Sequence, residues 1–181
     1  MIDIEKKIAI KTLSVLKKKS WSRLSIDEIL NKKKVKNINI KSKFDLLKNV
    51  NRYVDSLLIS EMKDLESSTT KDMLFEVIMA RFDILQQNRQ SFIEIYNGFK
   101  KKPKEFIKLL PSFLESMIVT AELSKFNVNG IKGSIRLKGL MVVYFTTFFQ
   151  WLDDKTTSLE KTMTGLDKNL DKAEKFGKLL S

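Results

Sequence analysis

The residues of this 181-residue chain with the clearest binding chemistry are lysines and asparagines crowded between positions 32 and 43. Lysine ammonium groups bind phosphates as point charges, and an asparagine amide matches the donor and acceptor edge of adenine. No arginine lies between Arg23 and Arg52, so the common bidentate contact to guanine is not expected here. We therefore predict a surface for double-stranded DNA formed by Ser25, Lys32, Lys33, Lys34, Lys36, Asn37, Asn39, Lys41 and Lys43.

The distribution of charge supports this prediction. Residues 1–60 contain 15 Lys or Arg against 6 Asp or Glu, whereas the rest of the chain contains 19 against 16. Most of the net charge of +12 thus lies in the first third of the chain, as expected for a phosphate-binding end. The alternative is an ordinary solvated surface, because 29 Lys against 5 Arg is also the bias that an AT-rich genome imposes.

The absence of two residue types excludes much catalytic chemistry. The sequence has no cysteine and no histidine, which removes disulfides, thiolate nucleophiles, imidazole bases and the usual transition-metal ligands. A carboxylate pair or a lone lysine remains possible as a catalyst, but no spacing points to one. We expect neither an enzyme nor a cofactor.

The apolar segments are too short for a membrane protein. The longest charge-free apolar run, Gly139 to Leu152, is shorter than the roughly 20 residues that cross a bilayer, and the first residues do not resemble a signal peptide. We expect a cytoplasmic protein without a transmembrane segment.

An all-α fold is predicted from only two prolines and six glycines among many helix-forming residues. An amphipathic helix is expected from Ile4 to about Lys19. A short helix should follow from Ser25 to about Lys33, with Ser25 and Glu28 as a reciprocal capping box. A longer helix should begin near Ser42 and run through Leu58. This order is typical of a three-helix helix-turn-helix module.

The rest of the chain predicts a helical bundle. A second apolar run is expected to continue after Asn88, breaks are expected at Pro103 and at Pro111, and a loop is expected from Asn127 to Gly133. Two long helices should follow. One runs from Ile135 to Leu152 and is apolar on nearly all sides, and the last begins at Leu159 with an apolar stripe.

The N-terminal motifs resemble those of the tetracycline-repressor (TetR) family of transcriptional regulators. The matching residues are Trp21, Leu24-Ser25-Ile26, Ser25-x-x-Glu28-Ile29, Val35 and Ser42-Lys43-x-x-Leu46-Leu47. The resemblance implies a helix-turn-helix DNA-binding domain over 1–50 and a helical ligand-binding and dimerisation domain over 51–181. The chain departs from the family pattern at Lys34, where a glycine is usual, and has only six residues between Val35 and Ser42.

The C-terminal half resembles the ubiquinone-biosynthesis lipid-binding accessory proteins, which share that fold. The matching residues are Arg81-Phe82-Asp83-x-Leu85, Lys138-Gly139-Leu140-x-x-Val143-Tyr144, Trp151-Leu152-Asp153-Asp154 and Thr162-Met163-x-x-Leu166-Asp167-x-x-Leu170. This resemblance implies an apolar pocket for a hydrophobic small molecule or lipid, although aromatic residues at helical spacing also suit a plain core. The candidate lining residues are Ile78, Phe82, Phe113, Met117, Tyr144 and Phe148.

The two last helices are also the expected homodimer interface. A helix that is apolar all round must be buried on two sides, and TetR-like proteins pair their terminal helices as a four-helix bundle. The alternative is the ordinary core of a monomer. The candidate interface residues are Phe145, Phe149, Trp151, Leu159, Met163, Leu166 and Leu170.

These features predict a dimeric, TetR-like transcriptional regulator that responds to a hydrophobic ligand. The alternative is a lipid-binding accessory protein of the ubiquinone-biosynthesis type that has lost sequence-specific DNA binding. The short segment after Val35 favours this second interpretation.

Overall fold

A computed structural model describes residues 3–30, 40–64, 66 and 68–180. All regular structure within these residues is helical, and they contain no strand, which confirms the predicted all-α fold class. None of the described helices is both long and apolar enough to cross a membrane.

The helices differ widely in length, from single turns to more than six turns. In chain order they are α1 (Asp3–Leu16), α2 (Ile26–Ile29), α3 (Lys43–Glu61), α4 (Thr70–Gln87), α5 (Arg89–Lys100), α6 (Pro103–Phe106), α7 (Leu110–Leu123), α8 (Gly130–Asp153) and α9 (Glu160–Leu180). Single 3-10 turns occupy Trp21–Arg23 and Ile107–Leu109.

The breaks predicted from proline are confirmed. Asn88 separates α4 from α5, and Pro103 is the first residue of α6, where its missing N–H costs no helical hydrogen bond. Pro111 lies in the first turn of α7, directly after the 3-10 turn Ile107–Leu109. Proline lacks a backbone N–H, so a proline past the first turn would cost the helix a backbone hydrogen bond. The predicted single helix is therefore divided before Pro111.

The predicted loop from Asn127 to Gly133 is wrong in its second half, because α8 already begins at Gly130. Gly133 is helical, and a Cβ at this position would lie 2.0 Å from the backbone carbonyl carbon of Val128. This glycine permits close packing of the backbone rather than a turn. The sequence alone does not distinguish these two uses of glycine.

The chain divides into two compact units. Unit 1 comprises Met1–Leu57 and Asp83–Phe113, and unit 2 comprises Leu58–Phe82 and Leu114–Ser181. This division differs from the predicted boundary at residue 50, because residues 83–113 group with the N-terminal helices.

Unit 1 is built on the apolar face of α1. Its residues Ile8, Ala9, Leu13 and Leu16 are buried, as the amphipathic pattern predicts. The hydroxyl of Ser91 on α5 donates a hydrogen bond of 2.7 Å to the carbonyl oxygen of Leu13, near the end of α1. The contact fixes α5 against α1 through a buried polar group that is satisfied.

Unit 2 is built on the pairing of α8 with α9. The two helices run antiparallel, because Thr147 on α8 contacts Asn169 while Asp154 after α8 contacts Thr162. Leu140 and Val143 on α8 and Leu166 and Leu170 on α9 are buried, as is Leu159 directly before α9.

Candidate nucleic-acid interface

The predicted DNA-binding residues are only partly covered by the structure. Ser25, Lys41 and Lys43 are among the described residues. The other predicted contacts lie outside them, namely Lys32, Lys33, Lys34, Lys36, Asn37 and Asn39.

Ser25 precedes α2, as predicted, but the capping box is wrong. Its hydroxyl makes no capping hydrogen bond, and α2 ends at Ile29, before the predicted end near Lys33. The Glu28 carboxylate instead accepts a hydrogen bond of 2.6 Å from the Lys19 ammonium. Both hydrogen bonds of the carboxylate would be charge-assisted, and the structure uses the one with Lys19.

The reciprocal cap that the sequence analysis missed lies at the start of α3. The backbone N–H of Ser42 donates to a carboxylate oxygen of Asp45 at 2.9 Å, and the N–H of Asp45 donates to the Ser42 hydroxyl oxygen at 3.2 Å. Burial alone raises the pKa of Asp45, but the hydrogen bonds from Ser42 and Lys41 outweigh it and lower the pKa from its ordinary value. The signal was present, since an acidic residue three positions after a serine suits this cap.

Lys41 and Lys43 flank this cap and have different surroundings. The Lys41 side chain is exposed, and only its backbone N–H is used, as a donor to Asp45 at 3.1 Å. The Lys43 ammonium donates to the carbonyl oxygen of Ser22 at 3.0 Å and lies 5.8 Å from the centroid of the Trp21 ring. Lys43 therefore contributes to packing in unit 1, whereas the Lys41 side chain is presented to solvent.

An aromatic cluster holds the two parts of unit 1 together. The Phe99 ring on α5 lies 5.6 Å from Trp21, 6.2 Å from Phe44 and 6.2 Å from Phe106, and Phe106 lies 5.5 Å from Phe113. These rings join the N-terminal segment to α5, α6 and the start of α7. Tilted and edge-on pairs at such distances add stability beyond the buried area.

A second group of lysines lies in unit 1 and was missed by the sequence analysis. We call it the α5–α6 lysine cluster, and its members are Lys100, Lys101, Lys102, Lys104 and Lys108. All five side chains are exposed. The Lys108 ammonium lies 5.1 Å from the centroid of the Phe44 ring, close to the start of α3. Counting charge along the chain did not group this segment with the N-terminal lysines, because about 50 residues separate them.

The two units differ sharply in charge. Unit 1 contains 21 Lys or Arg against 9 Asp or Glu, whereas unit 2 contains 13 against 13. Unit 1 therefore carries the whole net charge of +12, and unit 2 is formally neutral. Long-range attraction to a polyanion would act on unit 1 alone.

The predicted ligand-pocket residues fall in both units. Ile78, Phe82, Met117, Tyr144 and Phe148 lie in unit 2, and the first four are buried. The Phe82 and Tyr144 rings stack with their centroids 5.5 Å apart. The sixth predicted residue belongs to unit 1, where it is Phe113 of the aromatic cluster.

A buried cation lies among these unit 2 residues. Arg81 is 1 % exposed, and its guanidinium carbon is 5.9 Å from the centroid of the Tyr144 ring. The interior beside Tyr144 is therefore not purely apolar.

The predicted dimer residues divide into buried and exposed sets. Trp151, Leu159, Leu166 and Leu170 are buried within the single chain, and Phe145 is half-buried. Phe149 is 51 % exposed and Met163 is 43 % exposed. On α8 the exposed large apolar residues are Ile131, Ile135, Val142 and Phe149. The last three recur every seven residues, which places them in one row along the helix.

The described residues contain no group of three or more acidic side chains that is placed to hold a metal ion. No protein-family model and no curated protein matches this chain. The TetR-like assignment therefore stays a prediction that rests on the sequence resemblance.

Proposed function

We propose that this protein is a DNA-binding transcriptional regulator of TetR-like architecture that acts as a homodimer under the control of a hydrophobic ligand. The observation that carries the proposal is the segregation of charge, with all of the net +12 on unit 1. Lysines that neutralise phosphates release condensed counterions, so a strongly basic unit binds duplex DNA with steep salt dependence.

Two basic units in a dimer would dock about one helical turn apart, roughly 34 Å along the duplex. Exposed lysines such as Lys41 contact phosphates and position the protein, while Asn37 and Asn39 are the candidates for reading adenine. Trp151 and Leu166 are already buried within one chain, so they are not available to a second copy. The second copy would instead bind the exposed row on α8 that ends at Phe149.

Control by a ligand requires that the ligand bind one arrangement of the dimer better than another. A hydrophobic molecule in unit 2 would then change the spacing of the two basic units and weaken DNA binding. The apolar and aromatic residues around Phe82 and Tyr144 support unit 2 as the place for such a ligand.

The test is a salt-titrated selection of the purified protein against a random duplex library, followed by sequencing of the retained DNA. We expect a palindromic motif, which reports both sequence reading and a dimer. Replacing Lys34, Lys36 and Lys41 together by Glu should abolish retention. The matched control replaces Lys132, Lys138 and Lys161 of unit 2, which are exposed and change the net charge equally.

Retention without any motif, lost near physiological salt, would reject sequence-specific regulation. The second candidate would then lead, a lipid-binding accessory protein of the ubiquinone-biosynthesis type. It is favoured by the single-turn length of α2, Ile26–Ile29, which is short for the first helix of a reading motif. Lipid that copurifies with the protein, identified by mass spectrometry, would support it.

A further inference from the structure

We propose that the α5–α6 lysine cluster is a second contact surface for the phosphate backbone of duplex DNA, outside the predicted N-terminal domain. This inference rests on the proposed function and extends it. Residues 100–108 hold five lysines and one acidic residue, Glu105, and they belong to the basic unit.

The cluster is fixed next to the N-terminal segment rather than being a separate charged tail. Gly98, two residues before it, packs so closely that a Cβ would lie 2.4 Å from Cδ1 of Trp21. Phe106 packs on Phe99, and the ammonium of Lys108 lies 5.1 Å from the Phe44 ring. Phe44 directly follows Lys43, so Lys108 borders the start of α3.

The concentration of like charge points to an anionic partner. Neighbouring ammonium groups repel one another, and the one acidic residue within the cluster pairs with Lys102 at 3.3 Å. Lys101, Lys104 and Lys108 are exposed in the same segment. Duplex DNA presents one charge about every 1.7 Å along its axis, which suits several flexible lysines at once.

A membrane surface fits this segment less well. Membrane-surface helices bury a broad apolar face at the lipid boundary. Here Leu109 is buried and Phe106 packs on the aromatic cluster, which leaves Ile107, 60 % exposed, as the exposed large apolar side chain of residues 100–110. One apolar side chain among five lysines favours phosphate in solution over a bilayer.

The test measures affinity for one fixed duplex between 50 and 200 mM salt for the full chain and two triple variants. The variant K101Q/K104Q/K108Q removes three charges from the cluster, and K132Q/K138Q/K161Q removes three from unit 2. Each lost phosphate contact reduces the salt slope by about 0.9. Between 50 and 200 mM salt, the affinity of the unmodified protein should fall by a factor about 40 times larger than the affinity of the cluster variant does. The unit 2 control should lose affinity by the same factor as the unmodified protein.

The outcomes separate this inference from the proposed function. If both variants and the unmodified protein bind DNA with the same salt dependence, the lysine cluster does not contact DNA. The regulator proposal then remains intact. No DNA binding by the unmodified protein, even at 50 mM salt, overturns both. Because Lys108 contacts Phe44, the double variant K101Q/K104Q is measured as well, and about two thirds of the slope change is expected.

Vesicles of phosphatidylserine and phosphatidylcholine form the third arm. If the cluster variant loses vesicle binding but keeps the full salt slope on DNA, the cluster is a membrane surface and the inference is wrong. Equal vesicle binding by all variants, together with the reduced DNA slope, supports it.

Discussion

Unit 1 packs its helices around rings, with Phe99 at the centre of the aromatic cluster, whereas unit 2 joins α8 to α9 partly through buried hydrogen bonds. In unit 2 the Asp154 carboxylate accepts from the backbone N–H of Thr162 at 2.8 Å and of Thr156 at 3.0 Å. The difference shows two ways to align helices. Rings fill volume, while a fixed acceptor defines one register, because sliding the helices would leave its donors unsatisfied.

The largest effect is expected from removing the carboxylate that joins α8 to α9 in unit 2. Asp154 is fully buried and also accepts from the hydroxyls of Thr156 and Thr162 at 2.6 and 2.9 Å. Burial would raise its pKa, but these hydrogen bonds outweigh that effect and hold the pKa well below its usual range. We expect Asp154→Ala to lower the free energy of unfolding by about 3 kcal/mol in urea denaturation followed by circular dichroism.

The control is the neighbouring residue, since Asp153 is exposed. Asp153→Ala should change the free energy of unfolding by less than about 0.5 kcal/mol. Equal effects of the two substitutions would show that the Asp154 hydrogen bonds do not hold α9 on α8.

The packing of unit 1 is tested by a single methyl group. Gly98→Ala places a Cβ 2.4 Å from Cδ1 and 2.8 Å from Cβ of Trp21, inside a cluster where the indole has little room to move. We expect a loss of about 1 to 2 kcal/mol in the free energy of unfolding, after allowing for the better helix propensity of alanine.

Gly139→Ala is the matched control, because a Cβ on this helical residue meets no atom within 4 Å. It should raise the stability by up to about 1 kcal/mol, since alanine favours the helix without a clash. If Gly98→Ala is also stabilising, the close approach of α5 to Trp21 is wrong.

The smallest predicted effect concerns acid sensitivity in unit 1. Because the pKa of Asp45 is lowered in the folded chain from its ordinary value of 3.8, its contribution to stability is present above that pH. It is lost as the pH falls through the folded-state pKa. We expect Asp45→Asn to cost about 1 kcal/mol at pH 7 and progressively less as the pH falls below 3.8. A difference that persists unchanged in acid would mean that the carboxylate charge does not stabilise the start of α3.

Much of the fold follows from sequence patterns. The apolar spacing in α1 identified its buried face, and Pro103 and Pro111 marked real breaks because each limits backbone geometry and hydrogen bonding. The stripe predicted for α9 was less accurate. Leu166 and Leu170 are buried, but Met163 is 43 % exposed, and the polar Thr162 and Asn169 occupy buried positions instead.

The reason is that hydrophobic periodicity treats every polar residue as solvent-facing. Asn169 is buried because its amide donates to the Thr147 hydroxyl at 3.1 Å, and such a pair becomes visible only when both helices are in place. The grouping of residues 83–113 with the N-terminal helices is equally non-local. It depends on which rings meet Phe99, and no spacing along the chain encodes that choice.

The chain contains only two tryptophans, and the structure assigns Trp21 to unit 1 and Trp151 to unit 2. Both indoles are buried, so each should change its fluorescence emission when the surrounding unit opens. Trp151→Phe leaves only the tryptophan of unit 1, and Trp21→Phe leaves only the tryptophan of unit 2. The molecule thus carries its own pair of optical probes, which can show whether the basic and the neutral unit melt together or one after the other.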